Sequence, residues 1–331
     1  MIDNKIAFFG VKSWERPIIE REIINLDVFG VGIFEEELQD NLELAKQYDI
    51  VSIFIYSKAD KEVLDKLPNL KMIATRSTGV DHIDIDECKK RKVVVANVPV
   101  YGSNTVAEYA FALILAVAKK VVEAHQAVEE DEFSPEGLTG IDLFGKTLGI
   151  VGLGKIGANV AKMARGFGMK VVAVEKNPDL KIVKKYKVKL VDLETLLKES
   201  DVVTLHVPAS KETYHLINRS NIKLLKEGSI LVNTSRGAVV ESESMIWALN
   251  KGILRGVGLD VVEEEDKVES MSLVMSQRPT KEDLQNVLSY HMLRDREDVV
   301  FTPHNAFNTE EAIERIIKTT IENIKEFCKK N

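Results

Sequence analysis

A glycine-rich segment in the middle of the chain has the spacing of a phosphate-binding turn. The segment Gly152–Gly157 has the sequence GLGKIG and directly follows an apolar, strand-like run. The first glycine of such a turn permits a sharp bend, the second lets backbone approach a pyrophosphate, and the third allows a helix to pack closely on a strand. The helix that follows offers free N–H groups and its positive dipole end to phosphates. Gly152, Gly154 and Gly157 therefore predict a dinucleotide site.

A carboxylate follows at the distance at which it can bind a ribose. Glu175 lies 23 residues after Gly152, at the end of a second strand-like run. A carboxylate there accepts hydrogen bonds from ribose hydroxyls and repels a 2′-phosphate, which favours NAD over NADP. The neighbouring Lys176 is a cation that would weaken this preference. A glycine motif alone can be an ordinary turn, but here the strand, helix, second strand and acid all match.

Hydride transfer between a nicotinamide and a carbonyl needs a proton donor at the carbonyl oxygen, and a cation to orient any substrate carboxylate. Arg236 ends a strand-like run, where a guanidinium can bind a carboxylate through two parallel hydrogen bonds, although it can equally be a surface residue in a turn. His206 and His304 both end strand-like runs beside a proline. Position alone therefore leaves two candidates for the acid–base group.

An acidic run, Glu263–Asp266, follows another strand-like segment. Such a run is usually a solvated loop. One of its carboxylates could instead bind a histidine and hold it protonated for proton donation, but spacing does not say which one. The other histidines, including His215, stand in polar contexts and are interpreted as solvated. No zinc-binding spacing of His or Cys occurs, so we expect no metal site.

Strand-like runs alternate with helical stretches through most of the chain. The runs are nearly continuous in Val, Ile and Leu, which is typical of parallel strands that helices cover on both faces. They span 5–11, 49–55, 71–77, 92–98, 147–153, 170–175, 201–207, 229–235, 256–262 and 299–304. One long helix is predicted over 104–130 and separates two sets of strands. We therefore predict an α/β protein with two doubly wound parallel sheets.

The composition limits the function classes. A length of 331 residues fits about two domains. The net charge of −7, from 45 basic and 52 acidic residues, argues against nucleic-acid binding. The two cysteines suit a reducing compartment, and neither a secretory signal nor an apolar run long enough for a membrane is present. We expect a cytoplasmic protein that binds neither nucleic acid nor membrane.

Five motifs in the same order resemble the D-isomer-specific 2-hydroxyacid dehydrogenases. They are GLGKIG at 152–157, HVP at 206–208, VNTSRG at 232–237, GLDVVEEE at 258–265 and TPHNAF at 302–307. The segments RSTGVDHID at 76–84 and NVPVYGSNTVAEYA at 97–110 extend the resemblance to almost the whole chain. Tyr101 and Phe307 are most similar to the branch of the family that acts on D-lactate.

The resemblance implies a role for individual residues. It implies that Arg236 binds the substrate carboxylate, that His304 is the acid–base group, and that Glu265 is the carboxylate paired with His304. It implies substrate contacts from Thr78, Gly79, Val80, Tyr101 and Phe307. It implies cofactor contacts from Gly152, Gly154, Lys155, Ile156, Gly157, Glu175, His206, Val207, Pro208, Thr234 and Asp260.

The resemblance also implies an organisation and a reaction. An NAD-binding Rossmann domain, 100–299, is inserted into a flavodoxin-like substrate domain made of 1–99 and 300–331, and the charged segment 266–298 matches the family poorly. The implied reaction is reduction of pyruvate, or a slightly larger 2-keto acid, by NADH to the D-2-hydroxy acid. Hydroxypyruvate, glyoxylate and bulky 2-keto acids are alternative substrates, and a non-catalytic, NAD-sensing co-repressor is an alternative function. The family implies a homodimer, for which the apolar helix 107–118 is a candidate interface.

Overall fold

The computed structural model describes residues 4–24, 26, 30–263, 265 and 280–330, and side chains are described throughout except at 282 and 283. The chain divides into two compact units, 1–102 with 308–331, and 103–307. The expected divisions were 99/100 and 299/300. Residues 300–307 lie with the second unit because the strand Val299–Phe301 pairs in that unit's sheet. The first part of the segment 266–298 that matches the family poorly, namely 266–279, lies outside the described residues.

The described strands and helices are numbered here in chain order. The strands are β1 (Ile6–Phe8), β2 (Val31–Ile33), β3 (Ile50–Ile53), β4 (Met72–Thr75), β5 (Val94–Ala96), β6 (Thr147–Val151), β7 (Lys170–Val174), β8 (Lys189–Leu190), β9 (Val202–Leu205), β10 (Ser229–Asn233), β11 (Leu254–Leu259) and β12 (Val299–Phe301). The helices are α1 (Arg16–Ile23), α2 (Leu42–Ala45), α3 (Lys61–Asp65), α4 (Ile85–Lys90), α5 (Ser103–Lys119), α6 (Val121–Glu129), α7 (Lys155–Gly166), α8 (Leu180–Lys185), α9 (Leu193–Glu199), α10 (Ser242–Asn250), α11 (Lys281–Arg294) and α12 (Glu310–Lys330).

The first unit is built on a five-stranded sheet of order β2-β1-β3-β4-β5, in which every pair is parallel. Apolar clusters cover both faces of this sheet. On one face the isoleucines of α12, which recur every three or four residues, pack against β1 and β3. Helix α12 thus completes the core of the unit that contains strands β1 to β5.

The second unit holds a seven-stranded parallel sheet of order β12-β11-β10-β9-β6-β7-β8. Helix α5 and helix α7 contribute to the core on one face, and α9 and α10 to the core on the other. The sequence prediction of an α/β protein with two parallel sheets is confirmed. Each of the ten predicted strands is present, with shorter ends, and the structure adds β2 and the two-residue β8.

The predicted helix 104–130 is wrong as a single element. It breaks at Lys120, whose backbone takes a left-handed φ of 53°, and α5 and α6 lie on either side. The carbonyl of Ala118 at the end of α5 accepts a hydrogen bond from Ile141 N at 2.7 Å, and Lys120 Nζ donates to Gly137 O at 2.9 Å. The chain after α6 thus returns to close the end of α5.

The apolar sequence of helix α5 supplies core residues of the second unit. Its buried residues include Ala107, Ala110, Phe111 and Ile114, which belong to the core of the second unit. Gly258 of β11 explains this close approach, since a Cβ there would lie 2.9 Å from the Cβ of Leu113. The apolar run is therefore used to cover the sheet.

Candidate active site

The second unit brings most of the predicted site residues to one edge of its sheet. Because all strands of this sheet are parallel, their carboxyl ends lie along the same edge, where ligands bind in doubly wound folds. The residues that follow these strands are Gly152 after β6, Glu175 after β7, His206 after β9, Thr234 after β10, Asp260 after β11 and Thr302 after β12.

The glycine turn has the geometry that its sequence predicts at two of its three glycines. Gly152 has a φ of +95°, and a Cβ there would lie 2.7 Å from the carbonyl oxygen of His206. A Cβ on Gly157 would lie 2.1 Å from the carbonyl oxygen of Gly152. These two positions therefore require glycine for the bend and for the packing of α7 on β6.

Gly154 differs, because a Cβ there would meet nothing within 4 Å. The protein itself therefore does not require a glycine at this position. Gly154 stands directly before α7, whose first residues are Lys155 and Ile156 and whose N-terminus has no side-chain cap. Open space beside free N–H groups and a positive dipole end fits an approaching pyrophosphate.

Glu175 is tied to the glycine turn. Its Oε2 accepts a hydrogen bond from Leu153 N at 2.8 Å, and its Oε1 accepts one from Asn177 N at 3.0 Å. The neighbouring Lys176 forms an ion pair with Glu212. The cation that the sequence placed beside the ribose carboxylate is therefore neutralised by another acid.

Two buried polar atoms at neighbouring strand ends have no partner among the residues that the structure describes. They are Nδ1 of His206 and Oγ1 of Thr234. The strands before them are paired, with Leu205 opposite Asn233. A buried polar group without a hydrogen bond destabilises a protein by about 1–3 kcal/mol. Two such atoms together fit a ligand with polar groups of its own, such as a carboxamide. Val207 and Pro208 follow His206 on the same turn.

Burial lowers the pKa of His206 from 6.5 to about 3. The ring nitrogen Nδ1 is buried, and Nε2 lies 3.0 Å from Thr204 Oγ1. His206 is thus neutral at physiological pH. A neutral ring with a depressed pKa is a poor proton donor, which separates His206 from His304, the other candidate for the acid–base role.

This shift predicts a pH dependence of stability. Folded His206 stays neutral, whereas unfolded histidine takes up a proton below about pH 6.5. The contribution of neutral, buried His206 to the free energy of unfolding is therefore complete above about pH 6.5 and is lost as the pH falls towards 3. From about pH 7.5 to about pH 5, the parent chain should lose roughly 2 kcal/mol of unfolding free energy more than His206→Gln. Urea unfolding of both chains without nucleotide measures this difference, and equal losses would contradict it.

The carboxylate of Asp260 holds the turn that carries His304. It is buried, with 1% of the residue exposed. Its Oδ1 accepts hydrogen bonds from Thr302 Oγ1 at 2.6 Å and Asn305 N at 2.8 Å, and its Oδ2 accepts one from Ala306 N at 2.8 Å. Burial raises the pKa of Asp260, while these hydrogen bonds act in the opposite direction. Within the second unit, this residue connects the end of β11 to the turn after β12.

His304 is paired with Glu265. The distance from His304 Nδ1 to Glu265 Oε2 is 2.8 Å, with the two side chains 20% and 28% exposed. Glu265 Oε1 accepts a hydrogen bond from Val262 N at 3.1 Å. The backbone of His304 takes a left-handed φ of 47°, and its N–H donates to Asp260 O at 2.9 Å. A carboxylate on Nδ1 fixes the ring and leaves Nε2 as the nitrogen that can exchange a proton with a ligand.

Arg236 lies in the turn after β10. Asn233 Nδ2 donates to the carbonyl oxygen of Arg236 at 2.9 Å, and Arg236 Nη1 donates to Ser235 O at 2.8 Å. The next residue, Gly237, packs so closely that a Cβ there would lie 2.0 Å from the carbonyl carbon of Val262. The turn that carries Arg236 is thus packed against the segment that leads to Glu265. Phe307 lies at the end of this unit, half-buried.

In the first unit, the loop after β4 has one free set of backbone groups. Its carbonyl oxygens accept hydrogen bonds from Val98 N, Asn97 Nδ2, Ser77 Oγ and Ile83 N at 2.6–3.0 Å. Within the described chain, the N–H groups of Thr78, Gly79 and Val80 donate to no protein acceptor. A run of free N–H groups in a loop is a typical anion site. Tyr101 lies elsewhere in this unit, and its carbonyl oxygen accepts a hydrogen bond from Arg315 Nε.

Sequence reasoning did not find the residue that anchors this loop. The side chain of Arg76 is fully buried. Its Nη2 donates to Phe9 O at 2.9 Å and Gly10 O at 3.1 Å, and its Nε lies 3.3 Å from Glu15 Oε1. One guanidinium thus connects the ends of β1 and β4, directly before Thr78–Val80. The local sequence around Arg76 gives no sign of this role, because these partners lie more than 60 positions away in the sequence.

The described part of the chain contains neither a cluster of metal-binding side chains nor a membrane-spanning helix. No group of three or more His, Cys, Asp or Glu side chains there is placed to hold a metal ion. No helix within the same residues combines the length and the apolar character that crossing a membrane requires.

Comparisons with known proteins identify the family of this chain. The family model for the NAD-binding domain of the D-isomer specific 2-hydroxyacid dehydrogenases matches residues 111–306. Glyoxylate reductase of Thermococcus litoralis is 46% identical over 68% of this chain and 70% of its own length. D-lactate dehydrogenase of Escherichia coli is 33% identical over 97% of this chain and 95% of its own length.

Solved structures give the same result. The crystal structure of D-lactate dehydrogenase from Aquifex aeolicus, complexed with NAD and lactic acid, has a TM-score of 0.87 and 34% identity. The match covers 98% of this chain and 96% of the A. aeolicus chain. The residues present fit NAD. The turn leaves open space beside Gly154, and His206 Nδ1 and Thr234 Oγ1 are buried without a hydrogen-bond partner among the described residues. The chain belongs to the family of NAD-dependent, D-isomer-specific 2-hydroxyacid dehydrogenases.

Proposed function

We propose that this chain uses NADH to reduce pyruvate, or a slightly larger 2-keto acid, to the D-2-hydroxy acid, and that it also catalyses the reverse reaction. The observation that carries the proposal is the 2.8 Å contact between His304 Nδ1 and Glu265 Oε2 at the carboxyl edge of the sheet. A histidine held in this way is suited to deliver a proton to a keto oxygen.

Each group has one task in this mechanism. NADH, when bound, supplies the hydride that reduces the keto carbon. His304 gives the proton on Nε2 to the keto oxygen, and Glu265 stabilises the imidazolium before the transfer and fixes the ring. Arg236 binds the substrate carboxylate and stabilises the charge that develops on the keto oxygen. In the reverse direction, neutral His304 takes the hydroxyl proton.

Cofactor binding is assigned to the edge from β6 to β11. Lys155, Ile156 and the three glycines form the pyrophosphate turn, and Glu175 receives the ribose hydroxyls. His206 with its turn residues Val207 and Pro208, Thr234 and Asp260 serve the nicotinamide end. The unpaired His206 Nδ1 and Thr234 Oγ1 support this assignment. Asp260 contributes through its backbone and the turn that it holds, since both of its carboxylate oxygens are engaged.

Substrate contacts in the first unit are assigned to the loop after β4 and to Tyr101. The free N–H groups of Thr78, Gly79 and Val80 suit a carboxylate, which is the group that all 2-keto acids share. We assign recognition of the substrate side chain to Tyr101 and Phe307, as the family resemblance implies. In this scheme the first unit is the substrate domain, and the second unit is the NAD-binding domain.

Pyruvate is favoured by solved structures that resemble the whole chain. The A. aeolicus D-lactate dehydrogenase, complexed with lactic acid, and the E. coli D-lactate dehydrogenase both match almost the full length. Glyoxylate is the second candidate, since the glyoxylate reductase of T. litoralis has 46% identity over 68% of this chain and that of Korarchaeum cryptofilum has 36% identity over 93% of it. Hydroxypyruvate and bulky 2-keto acids complete the set of alternatives.

A panel of keto acids tests the proposal. Purified protein is mixed with NADH and each of pyruvate, 2-ketobutyrate, hydroxypyruvate, glyoxylate and a bulky keto acid, and nucleotide oxidation is followed. The expected result is the highest kcat/KM for pyruvate or 2-ketobutyrate, with D product by chiral chromatography. Preference for glyoxylate or hydroxypyruvate would support the second candidate. NADH binding without turnover of any keto acid would support the co-repressor alternative instead.

Replacing Glu175 by alanine should change the choice of nucleotide. The variant loses hydrogen bonds to the ribose and the repulsion of a 2′-phosphate, so its kcat/KM for NADH should fall by about ten- to a hundredfold. The value for NADPH should rise. Glu175→Asp keeps the charge and serves as the control. A variant with an unchanged NADH-to-NADPH ratio would remove Glu175 from the ribose site.

We further propose a homodimer. Phe133 is 95% exposed and Phe144 is 81% exposed in the second unit, and burying large apolar side chains of this kind in a subunit contact would stabilise the dimer. A second copy of this chain is the proposed partner. Sedimentation velocity should give twice the chain mass for the parent protein, and a shift towards monomer for Phe133→Ser. A monomeric parent protein at micromolar concentration would reject the proposal.

A cytoplasmic location is proposed on the chemistry of the cysteines. Cys88 and Cys328 are both free thiols. Burial raises the pKa of Cys88 to about 11, and it also raises the pKa of Cys328. Both thiols are therefore protonated and unreactive at neutral pH, in keeping with a protein that uses no disulfide in a reducing compartment.

A further inference from the structure

The second unit contains another histidine paired with a carboxylate. His215 Nε2 forms a short hydrogen bond with Glu263 Oε1, with the two side chains 27% and 12% exposed. The sequence interpretation of His215 as a solvated residue is therefore wrong. Glu263 belongs to the acidic run that also contains Glu265, and a single residue separates them in the sequence. The two histidine–carboxylate pairs thus share one short segment.

Glu263 connects three parts of the unit. Its Oε2 accepts a hydrogen bond from Ser242 N at 2.8 Å, at the beginning of α10. Its Oε1 binds His215, which lies between β9 and β10. The backbone of Glu263 continues the chain from β11. Both carboxylate oxygens of Glu263 are hydrogen-bonded, one to His215 and one to Ser242 N. These two contacts fix the backbone of Glu263 in place.

His215 is itself fixed by its backbone. Its N–H donates to Ala238 O at 2.8 Å, and its carbonyl oxygen accepts from Asn218 Nδ2 at 2.8 Å. Its φ is 48°, in the left-handed region, which a non-glycine residue occupies only where surrounding contacts hold it there. The ring of Tyr214 stacks on the imidazole with centroids 4.0 Å apart. The surrounding contacts therefore over-determine the place of this ring.

The segment held by this pair leads directly to Glu265. On one side of Glu263, Val262 packs against Gly237, the residue after Arg236. Val262 N also donates to Glu265 Oε1 at 3.1 Å. Beyond Glu263, the structure describes Glu265 and then the residues from 280 onward. Among the described residues, the fixed support of Glu265 therefore comes from 261–263.

We propose that His215 and Glu263 form a positioning pair that holds the backbone at Val262 and Glu263, so that Glu265 meets His304 Nδ1 in the correct orientation. This inference rests on the proposed function, because it assigns the pair a role in the reaction assigned to His304. Neither residue is assigned a contact with the substrate or the cofactor. A displacement of about 1 Å in such a support can lower a rate by about a hundredfold.

The test compares turnover with nucleotide binding. In His215→Ala and Glu263→Ala, kcat should fall at least about tenfold, while KM for the keto acid and Kd for NADH change by less than about threefold. Removing both side chains should lower kcat little further, because one pair is lost in each case. His125→Ala removes an exposed histidine that pairs with Glu129 on α6 and is the matched control.

Conservative variants separate positioning from folding. A glutamine at 263 can accept from Ser242 N and donate to neutral His215, so Glu263→Gln should recover most of kcat. Hydrogen exchange of a peptide covering 258–265 should be faster in Glu263→Ala than in the parent. Without the contacts of Glu263 to Ser242 and His215, the backbone next to it should move more freely and expose Val262 N–H. Glu263→Gln should restore the protection of this peptide.

The outcomes distinguish the two proposals. A parent chain that reduces no keto acid overturns the proposed function and with it this role. An active parent with normal kcat in Glu263→Ala overturns the positioning pair alone, whatever the exchange rates show. A loss of kcat that Glu263→Gln does not recover, together with lost NADH binding, indicates general misfolding and also overturns it.

Discussion

Replacing His304 by alanine is expected to lower kcat for keto-acid reduction by about 10²- to 10⁴-fold, while Kd for NADH changes little. The imidazole is proposed to deliver the proton that the keto oxygen gains. Without it, water must deliver that proton. The nucleotide contacts are assigned to other strand ends, from β6 to β11, so they should survive. Stopped-flow nucleotide oxidation and fluorescence titration with NADH measure the two quantities.

Two controls make this prediction specific. His125→Ala removes an exposed histidine from α6 and should keep the parent rate. His304→Gln keeps a polar side chain of similar length at a position with a left-handed backbone, yet it also lacks an acid of suitable pKa, so it should be as slow as alanine. A near-normal kcat in both His304 variants would remove His304 from the acid–base role.

The direction of the reaction sets the protonation state that His304 must have. Reduction requires the protonated ring, whereas oxidation of the hydroxy acid requires the neutral ring. His206 should contribute nothing to the pH dependence of either rate above about pH 5, because burial lowers its pKa to about 3.

The sheets could be predicted from sequence because their strands carry a local signal. Strands such as β9 and β10 are buried along their whole length and are therefore continuous in β-branched and aliphatic residues. Strand β2 is only half-buried, and β8 has two exposed residues, so neither has that signature. The break at Lys120 lacks a sequence signal too, since the contacts of Ala118 and Lys120 with the returning chain hold it.

The site could be predicted only as far as its motifs extend. Gly152 and Gly157 are required by local geometry, and the structure gives the contacts that require them. Position alone left His206 and His304 as equal candidates, because both end a strand. The difference between them lies in the surroundings, a buried ring with an unpaired nitrogen in one case and a carboxylate contact in the other.

The supporting contacts were out of reach of sequence spacing. Arg76 lies 61 positions from Glu15, and His215 lies 48 positions from Glu263. No periodicity connects residues at such separations, because the sheet topology brings them together. The residues that do chemistry at strand ends are thus easier to predict than the residues that hold them in place.

Replacing Arg236 by lysine should lower kcat/KM for pyruvate by about 10²- to 10³-fold, with little change in Kd for NADH. A guanidinium can bind a carboxylate through two parallel hydrogen bonds and still direct charge at the keto oxygen, whereas an ammonium is a single point of charge. The turn around Arg236 is fixed by Asn233 and by the contact of Gly237 with Val262, so lysine cannot shift its backbone to compensate.

The matched control is Arg21→Lys, an exposed arginine that pairs with Glu314 in the first unit and should leave the rate unchanged. A second variant, Arg236→Ala, should be slower still, and added guanidinium ions should recover part of its activity by occupying the space that the side chain leaves. An unchanged kcat/KM for pyruvate in Arg236→Lys would contradict the proposed role. So would a loss confined to NADH binding, because it would place the guanidinium on the cofactor. Recovery by guanidinium but not by ammonium would show that the planar fork, and not the positive charge alone, orients the substrate.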